Sequence, residues 1–126
     1  MDQATYDKGL AIRKEVLGED YVNRALARTD SFNKPLQDLV TEYCWGAVWG
    51  RDGLPRRDRS MINLAMISIL NRHNELKIHV KGALTNGLTK EEISEVLLQV
   101  AIYAGIPAAV DSFRIANEAF AEVEAE

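Results

Sequence analysis

The sequence predicts an all-α fold, and three observations support this. Apolar residues recur at helical spacing along almost the whole chain, as they do on the buried faces of amphipathic helices. No segment alternates apolar and polar residues between hairpin turns, so no strand is predicted. A length of 126 residues, with 47% hydrophobic and 27% charged residues, is typical of one globular domain. We therefore expect residues 1–126 to form a single-domain helical bundle.

Three helices are predicted in the first 50 residues. The first covers residues 6–17 and ends at Gly18, because glycine commonly terminates helices. A short second helix covers residues 21–26. In the third, over residues 35–48, apolar residues take the i, i+3, i+4 and i+7 positions, which predicts a helix with one apolar face. Cys44 lies on that face, and we expect it to pack as a small hydrophobic residue.

Four helices are predicted in the second half of the chain, after a turn-rich stretch at residues 50–55. The first begins at Asp58 or Arg59, ends near Leu70 and is apolar nearly all round, as expected of a central buried helix. Thr89 and Glu92 have the spacing of a capping box, which marks the start of a helix. The remaining three helices are predicted over residues 76–84, 89–101 and 108–123.

Composition excludes several classes of function. The chain carries 15 Lys and Arg against 19 Asp and Glu, with a pI near 5.2, whereas nucleic-acid-binding proteins are usually basic. No apolar run is long enough to cross a membrane, and the first residues lack the pattern of a secretory signal. The single cysteine, Cys44, excludes an internal disulfide and a Cys-rich zinc site. We expect a cytoplasmic protein that binds neither nucleic acid nor membrane.

The middle of this acidic chain is basic. Residues 51–81 contain seven Lys or Arg against three Asp or Glu. Arg51, Arg56, Arg57 and Arg59 flank or follow the turn before a predicted helix, and guanidinium groups bind carboxylates through paired hydrogen bonds. Two interpretations stay open: a pocket for a small anion, or a solvated face whose charges form ordinary ion pairs.

His79 is the first candidate for catalysis. It lies on a predicted helix, with Arg72 seven residues and Glu75 four residues earlier, which places all three on roughly one face. An imidazole exchanges protons near neutral pH, and a neighbouring carboxylate is expected to raise its pKa. The alternative is a surface histidine in a plain contact with Glu75. His73, six residues away, has no such partners, so no metal site is predicted.

Aromatic side chains form a second candidate group. Trp45 and Trp49 are four residues apart and either line an aromatic pocket or pack in a core or interface. Glu42 precedes them as either a buried acid or an exposed helix residue.

Four blocks of the sequence carry a family resemblance: residues 43–60, 70–79, 82–89 with 92–93, and 99–109. Together they resemble the carboxymuconolactone decarboxylase family, within the alkyl hydroperoxidase D-like superfamily. The resemblance implies an all-α fold that assembles into homo-oligomers, commonly trimers or hexamers. Peroxidases of the superfamily have a Cys-x-x-Cys motif before the matching histidine, where this chain has Arg72 and Glu75, so peroxidase chemistry is not implied.

The resemblance implies a cofactor-free reaction on a small anionic lactone. In protocatechuate catabolism (the β-ketoadipate pathway), 4-carboxymuconolactone loses CO2 and becomes 3-oxoadipate enol-lactone, and the lactone ring accepts the electrons. We expect His79 to act as proton donor or oxyanion partner, oriented by Glu75. Arginine, namely Arg72 with one of Arg51, Arg57 or Arg59, is expected to bind the acetate arm.

An apolar wall of Trp45 or Trp49 is expected around the departing carboxylate, because a cation there would stabilise the charge that must leave. Two alternatives stay open, since one scaffold supports many functions. One is a paralogous decarboxylase or isomerase that acts on another lactone. The other is a non-catalytic oligomeric module that binds small metabolites.

Overall fold

The structure, a computed structural model, describes residues 1–126 and contains helices but no strand, which confirms the predicted all-α class. The helices are α1 (Gln3–Leu17), α2 (Glu19–Ala27), α3 (Lys34–Leu39) continued by a π-helix (Val40–Val48), α4 (Arg56–Ile69), α5 (His73–Thr85), α6 (Lys90–Tyr103) and α7 (Ile106–Glu124). None of these helices combines the length and apolar character needed to cross a membrane.

The chain forms two compact units, the N-terminal unit (Met1–Pro55) and the C-terminal unit (Arg56–Glu126). The boundary falls in the turn-rich stretch that the sequence placed before the fourth helix. One domain over residues 1–126 stays a prediction.

Two helix ends follow directly from local chemistry. Gly18 ends α1 with a φ of 94°, a conformation that glycine adopts without steric cost. The Thr89 hydroxyl accepts the Glu92 N–H at 3.1 Å, and the Glu92 carboxylate accepts the Thr89 N–H at 3.0 Å. Both signals were predicted and are confirmed, because each depends only on neighbouring residues.

In the N-terminal unit, α1 packs closely against the π-helix. Gly9 and Gly46 allow the approach: a Cβ on Gly9 would overlap the Thr41 carbonyl oxygen and lie 2.7 Å from the Gly46 nitrogen. The core of this unit consists of Ile12, Val16, Trp45 and Trp49. Its shape therefore depends on two glycines where the backbones meet.

The apolar face predicted for residues 35–48 is turned away from that core. Leu36, Leu39 and Tyr43 are 58%, 54% and 61% exposed, and Cys44 is also exposed rather than packed. The residues that pack inward are instead Thr41, Trp45 and Gly46. The prediction failed because the π-helix has more residues per turn than an α-helix, and because glycine, rather than a large apolar residue, faces α1.

In the C-terminal unit, α4 to α7 surround one core of buried apolar side chains, which includes Leu64, Leu76, Leu97 and Ile115. The expectation that the first of these helices is buried all round is wrong for this chain. Only Ser60, Leu64 and Ser68 of α4 are buried, whereas Ile62, Met66 and Ile69 are each about half exposed. One stripe of α4 faces the core, and the opposite apolar stripe is left uncovered.

Candidate functional site

Helix α5 carries His79 beside the buried residues Leu76 and Val80. The His79 side chain is itself partly buried. Burial lowers the pKa of His79 from its ordinary value of 6.5 to about 4, and the Glu75 carboxylate acts in the opposite direction. The structure therefore brings Glu75 within electrostatic range of His79, as the four-residue spacing predicted.

The direction of the pKa shift corrects the sequence prediction. A neighbouring carboxylate was expected to raise the pKa of His79, but desolvation of the imidazolium outweighs the attraction to Glu75. Glu75 is exposed, so water screens its charge. At neutral pH His79 is accordingly an uncharged imidazole, which has one N–H donor and one acceptor nitrogen.

Arg72 lies outside the helix that carries His79. It precedes α5 with φ −96° and ψ 82°, and Asn71 before it adopts a left-handed φ of 57°. Arg72 is the N-cap of α5, and its carbonyl oxygen accepts the Leu76 N–H at 2.8 Å. The predicted helical register stops one residue short of Arg72, because its own ψ of 82° is not helical. The Arg72 side chain is exposed.

The other predicted arginines have different surroundings. Arg57 donates to Glu92 of the α6 capping box at 2.5 Å, and this ion pair raises the pKa of Arg57 and lowers the pKa of Glu92. The Arg59 Nε is buried without an acceptor. Arg51 is exposed in the turn after the π-helix. Arg57 thus has a structural partner already, whereas the Nε of Arg59 has an unused donor.

Trp45 and Trp49 stack in the core of the N-terminal unit, with ring centroids 4.7 Å apart and planes inclined by 23°. They are 3% and 5% exposed, which is the packing alternative predicted for them. Glu42 is partly exposed and accepts the Asp2 N–H at 3.1 Å at the start of α1. The sequence did not decide whether Glu42 is buried or exposed, and in the structure Glu42 is neither fully buried nor fully exposed.

One buried charged residue was missed. Arg13 of α1 is 5% exposed, although arginine is rarely fully buried. Its signal in the sequence is weak, because Arg13 is the first of three consecutive charged residues that follow the apolar run Leu10-Ala11-Ile12. No group of three or more His, Cys, Asp or Glu side chains is arranged to hold a metal ion.

Comparison with known proteins identifies the family of this chain and the reactions of its relatives. Residues 34–118 match the model of the carboxymuconolactone decarboxylase family, a range that includes parts of both units. The chain is 40% identical, over 97% of its length and 91% of the relative's, to a 4-carboxymuconolactone decarboxylase of Acinetobacter baylyi. It is also 40% identical, over 90% of its length and 79% of the relative's, to a nitrosuccinic acid decarboxylase of Metarhizium robertsii.

Proposed function

Because the chain belongs to the carboxymuconolactone decarboxylase family, we propose that it is a carboxy-lyase that converts 4-carboxymuconolactone into 3-oxoadipate enol-lactone and CO2. The observation that carries this proposal is the 40% identity, over 97% of the chain, to the Acinetobacter baylyi decarboxylase. The proposed setting is protocatechuate catabolism through the β-ketoadipate pathway.

The reaction needs no external electron acceptor. The bond between the ring and its carboxylate breaks, CO2 leaves, and the electron pair spreads over the lactone as a dienolate. A proton then adds to the carbon next to the lactone carbonyl. The protein must bind the remaining acetate arm, donate hydrogen bonds to the developing oxyanion and deliver that proton.

His79 is the proposed oxyanion partner. A neutral imidazole, as the lowered pKa favours, donates an N–H to the oxyanion without holding a full charge against a desolvated site. Once the dienolate has formed, its carbon takes a proton from water, because a neutral imidazole that gave up its N–H would be left as an unfavourable imidazolate. Glu75 is the proposed positioning residue, since it is the carboxylate within electrostatic range of the ring.

Arginine is the proposed partner of the acetate arm. Arg72 and Arg51 are exposed, and Arg59 has an unused Nε–H donor, so these three are better placed than Arg57, which is paired with Glu92.

Decarboxylation of nitrosuccinic acid is a second candidate, which the 40% identity to the fungal enzyme favours. A nitro group accepts the electron pair as a lactone does, so both substrates need a carboxylate anchor and a donor to the oxyanion. A paralogous lactone decarboxylase or isomerase and a non-catalytic metabolite-binding module are the remaining alternatives.

The deciding experiment offers both acids to the purified protein. CO2 release is followed from freshly prepared 4-carboxymuconolactone and, separately, from nitrosuccinate, with the His79→Ala variant as the control for contaminating activity. Faster release from the lactone, with formation of the enol-lactone, is the expected result. Release from nitrosuccinate alone would transfer the proposal to the second substrate, and release from neither would contradict both.

The chain is further proposed to act as a cytoplasmic homo-oligomer, a trimer or hexamer, without nucleic acid. Exposed apolar residues in both units support an assembly, among them Tyr43, Ile102 and Tyr103. The acidic balance argues against nucleic acid. A free Cys44 is compatible with a reducing compartment.

A further inference from the structure

A buried cation in the N-terminal unit has no acidic partner. Arg13 is 5% exposed, and the acceptors of its Nη1 are neutral groups: Gln37 Oε1 at 3.0 Å and Thr41 Oγ1 at 3.3 Å. Its Nε is buried without any acceptor. Charged groups inside proteins are normally paired with an opposite charge, so this guanidinium is unusual.

The electrostatic surroundings of Arg13 also lack an acidic partner. Burial is the main influence on this residue and lowers the pKa of Arg13. The neighbours that favour its charged form are the side chains of Tyr21, Cys44 and Tyr6. None of these three side chains is a carboxylate. No carboxylate therefore compensates the positive charge.

A cavity of about 400 Å³ in the same unit is connected to Arg13 through Gln37. It is lined by Met1, Tyr6, Leu26, Thr29, Lys34, Gln37 and Asp38. Gln37, the acceptor of Arg13, forms part of the wall, and the Thr29 hydroxyl is buried without a partner. Lys34 and Asp38 pair with each other at 2.7 Å and cancel in charge. The wall thus contains an unused hydroxyl and a carboxamide that is hydrogen-bonded to the uncompensated charge of Arg13.

We propose that this cavity binds a small carboxylate anion, for which Arg13 supplies the positive charge. The Gln37 carboxamide oxygen occupies the place of one carboxylate oxygen on the guanidinium when the cavity is empty. A ligand displaces Gln37, accepts from adjacent guanidinium N–H groups as carboxylates do, and accepts the Thr29 O–H. Its short apolar stem lies against Leu26 and Tyr6. This site goes beyond the proposed reaction, because binding requires no turnover.

The first test observes the Arg13 Nε–H directly. Arginine Nε–H resonances of the full-length protein are recorded by NMR while sodium succinate is added, with sodium chloride at equal ionic strength as the control, and Arg13→Lys assigns the resonance. A saturable shift with succinate alone is expected, and Arg13→Met is expected to weaken succinate binding by about tenfold or more. An equal response to both salts would overturn the proposal.

Two variants of Gln37 test the proposal without changing Arg13. Gln37→Glu supplies a built-in carboxylate, so its melting temperature should exceed that of the wild type and should no longer rise with succinate. Gln37→Met has similar size but no charge, and it should keep the rise with succinate. A lower melting temperature for Gln37→Glu, or an equal succinate response in both variants, would contradict the proposal.

The carboxylate can come from the decarboxylation substrate or from a separate metabolite, and kinetics separate the two. Competitive inhibition by succinate that Gln37→Glu abolishes would assign the cavity to the substrate. Binding that leaves kcat and KM unchanged would assign it to another carboxylate. Succinate binding to His79→Ala should persist either way, so failure of the decarboxylation proposal would not affect this one.

A changed oligomeric mass in Arg13→Met without succinate binding would assign the counter-ion to a neighbouring copy and overturn the proposal.

Discussion

At the scale of single residues, burial and charge act on His79 in opposite directions. Desolvation disfavours the imidazolium, whereas the exposed Glu75 carboxylate favours it, and burial prevails. The arrangement resembles catalytic sites in which a neutral imidazole polarises an oxygen instead of delivering a full charge. The protonation state of one ring therefore determines which step His79 can assist.

Replacement of His79 tests this role. His79→Ala should lower kcat by about 10²–10³-fold, because it removes the proposed hydrogen-bond donor to the oxyanion. The control is His73→Ala, which removes the other histidine of α5 and should leave kcat near the wild-type value. Turnover is measured by CO2 release, and circular dichroism verifies folding. Wild-type turnover by a folded His79→Ala would remove this residue from the mechanism.

The pH dependence of kcat tests the protonation state. If the neutral imidazole is active, the rate should stay level from pH 8 down to pH 5 and fall as the pH drops through about 4. Glu75 raises the pKa of His79, so Glu75→Gln should move this acidic limb to lower pH. Glu95→Gln, which removes an exposed acid on α6, should leave the limb in place. A rate that falls as pH rises through 4 would instead identify the imidazolium as the active form.

At the scale of helices, the contact between α1 and the π-helix depends on the absence of side chains. Glycine inside a helix is usually about 1 kcal/mol less stable than alanine. At Gly9 this order should reverse, because a Cβ would meet the backbone of Thr41 and Gly46. Close backbone contacts thus explain a residue that helix propensity disfavours.

Gly9→Ala should lower the free energy of unfolding of the N-terminal unit by about 1–3 kcal/mol, the usual range for overpacking. Both tryptophans lie in this unit, so tryptophan fluorescence during urea unfolding reports on it. Gly53→Ala is the control, since nothing lies within 4 Å of a Cβ there. Equal unfolding midpoints for the two variants would contradict the close approach.

The capping box of α6 is a second feature at this scale. Thr89→Ala removes the acceptor of the Glu92 N–H and should reduce stability by about 1 kcal/mol. Faster hydrogen exchange of the amides in the first turn of α6 would locate the effect. Thr85→Ala is the matched control, because that hydroxyl donates to Lys81 O within its own helix. An unchanged exchange rate in Thr89→Ala would mean that the cap does not hold this end.

At the scale of the whole molecule, large apolar side chains remain uncovered in one chain. In the N-terminal unit they lie along α3 and the π-helix. In the C-terminal unit they include Ile102, Tyr103 and Ile106, which are 77%, 82% and 61% exposed. Patches of this kind usually mark contacts between proteins. Association of identical copies is the simplest way to cover them.

The measured mass should therefore be a multiple of 14.1 kDa in sedimentation equilibrium at micromolar concentration, with a trimer or hexamer expected. Ile102→Glu should reduce that mass, because it places a charge among apolar contacts. Asn23→Glu adds the same charge at an exposed polar position of α2 and should not change the mass. A wild-type monomer would contradict the assembly.

The sequence by itself determined those features whose causes lie within a few residues. The all-α class, the end of α1 at Gly18, the capping box at Thr89 and the proximity of Glu75 to His79 follow from local spacing and backbone chemistry. The resemblance in four blocks also pointed to the family, since it depends on residue identity alone.

Only the tertiary structure decided which faces and charges became buried. It turned the apolar stripe at Leu36 and Tyr43 outward and left one apolar stripe of α4 uncovered. It also gave Arg72 a non-helical conformation before α5 and placed Arg13 inside without a counter-ion. It also lowered the pKa of His79 instead of raising it. Burial is the sum of contacts with segments distant in the chain, and desolvation follows burial, so neither can be derived from the spacing of neighbouring residues.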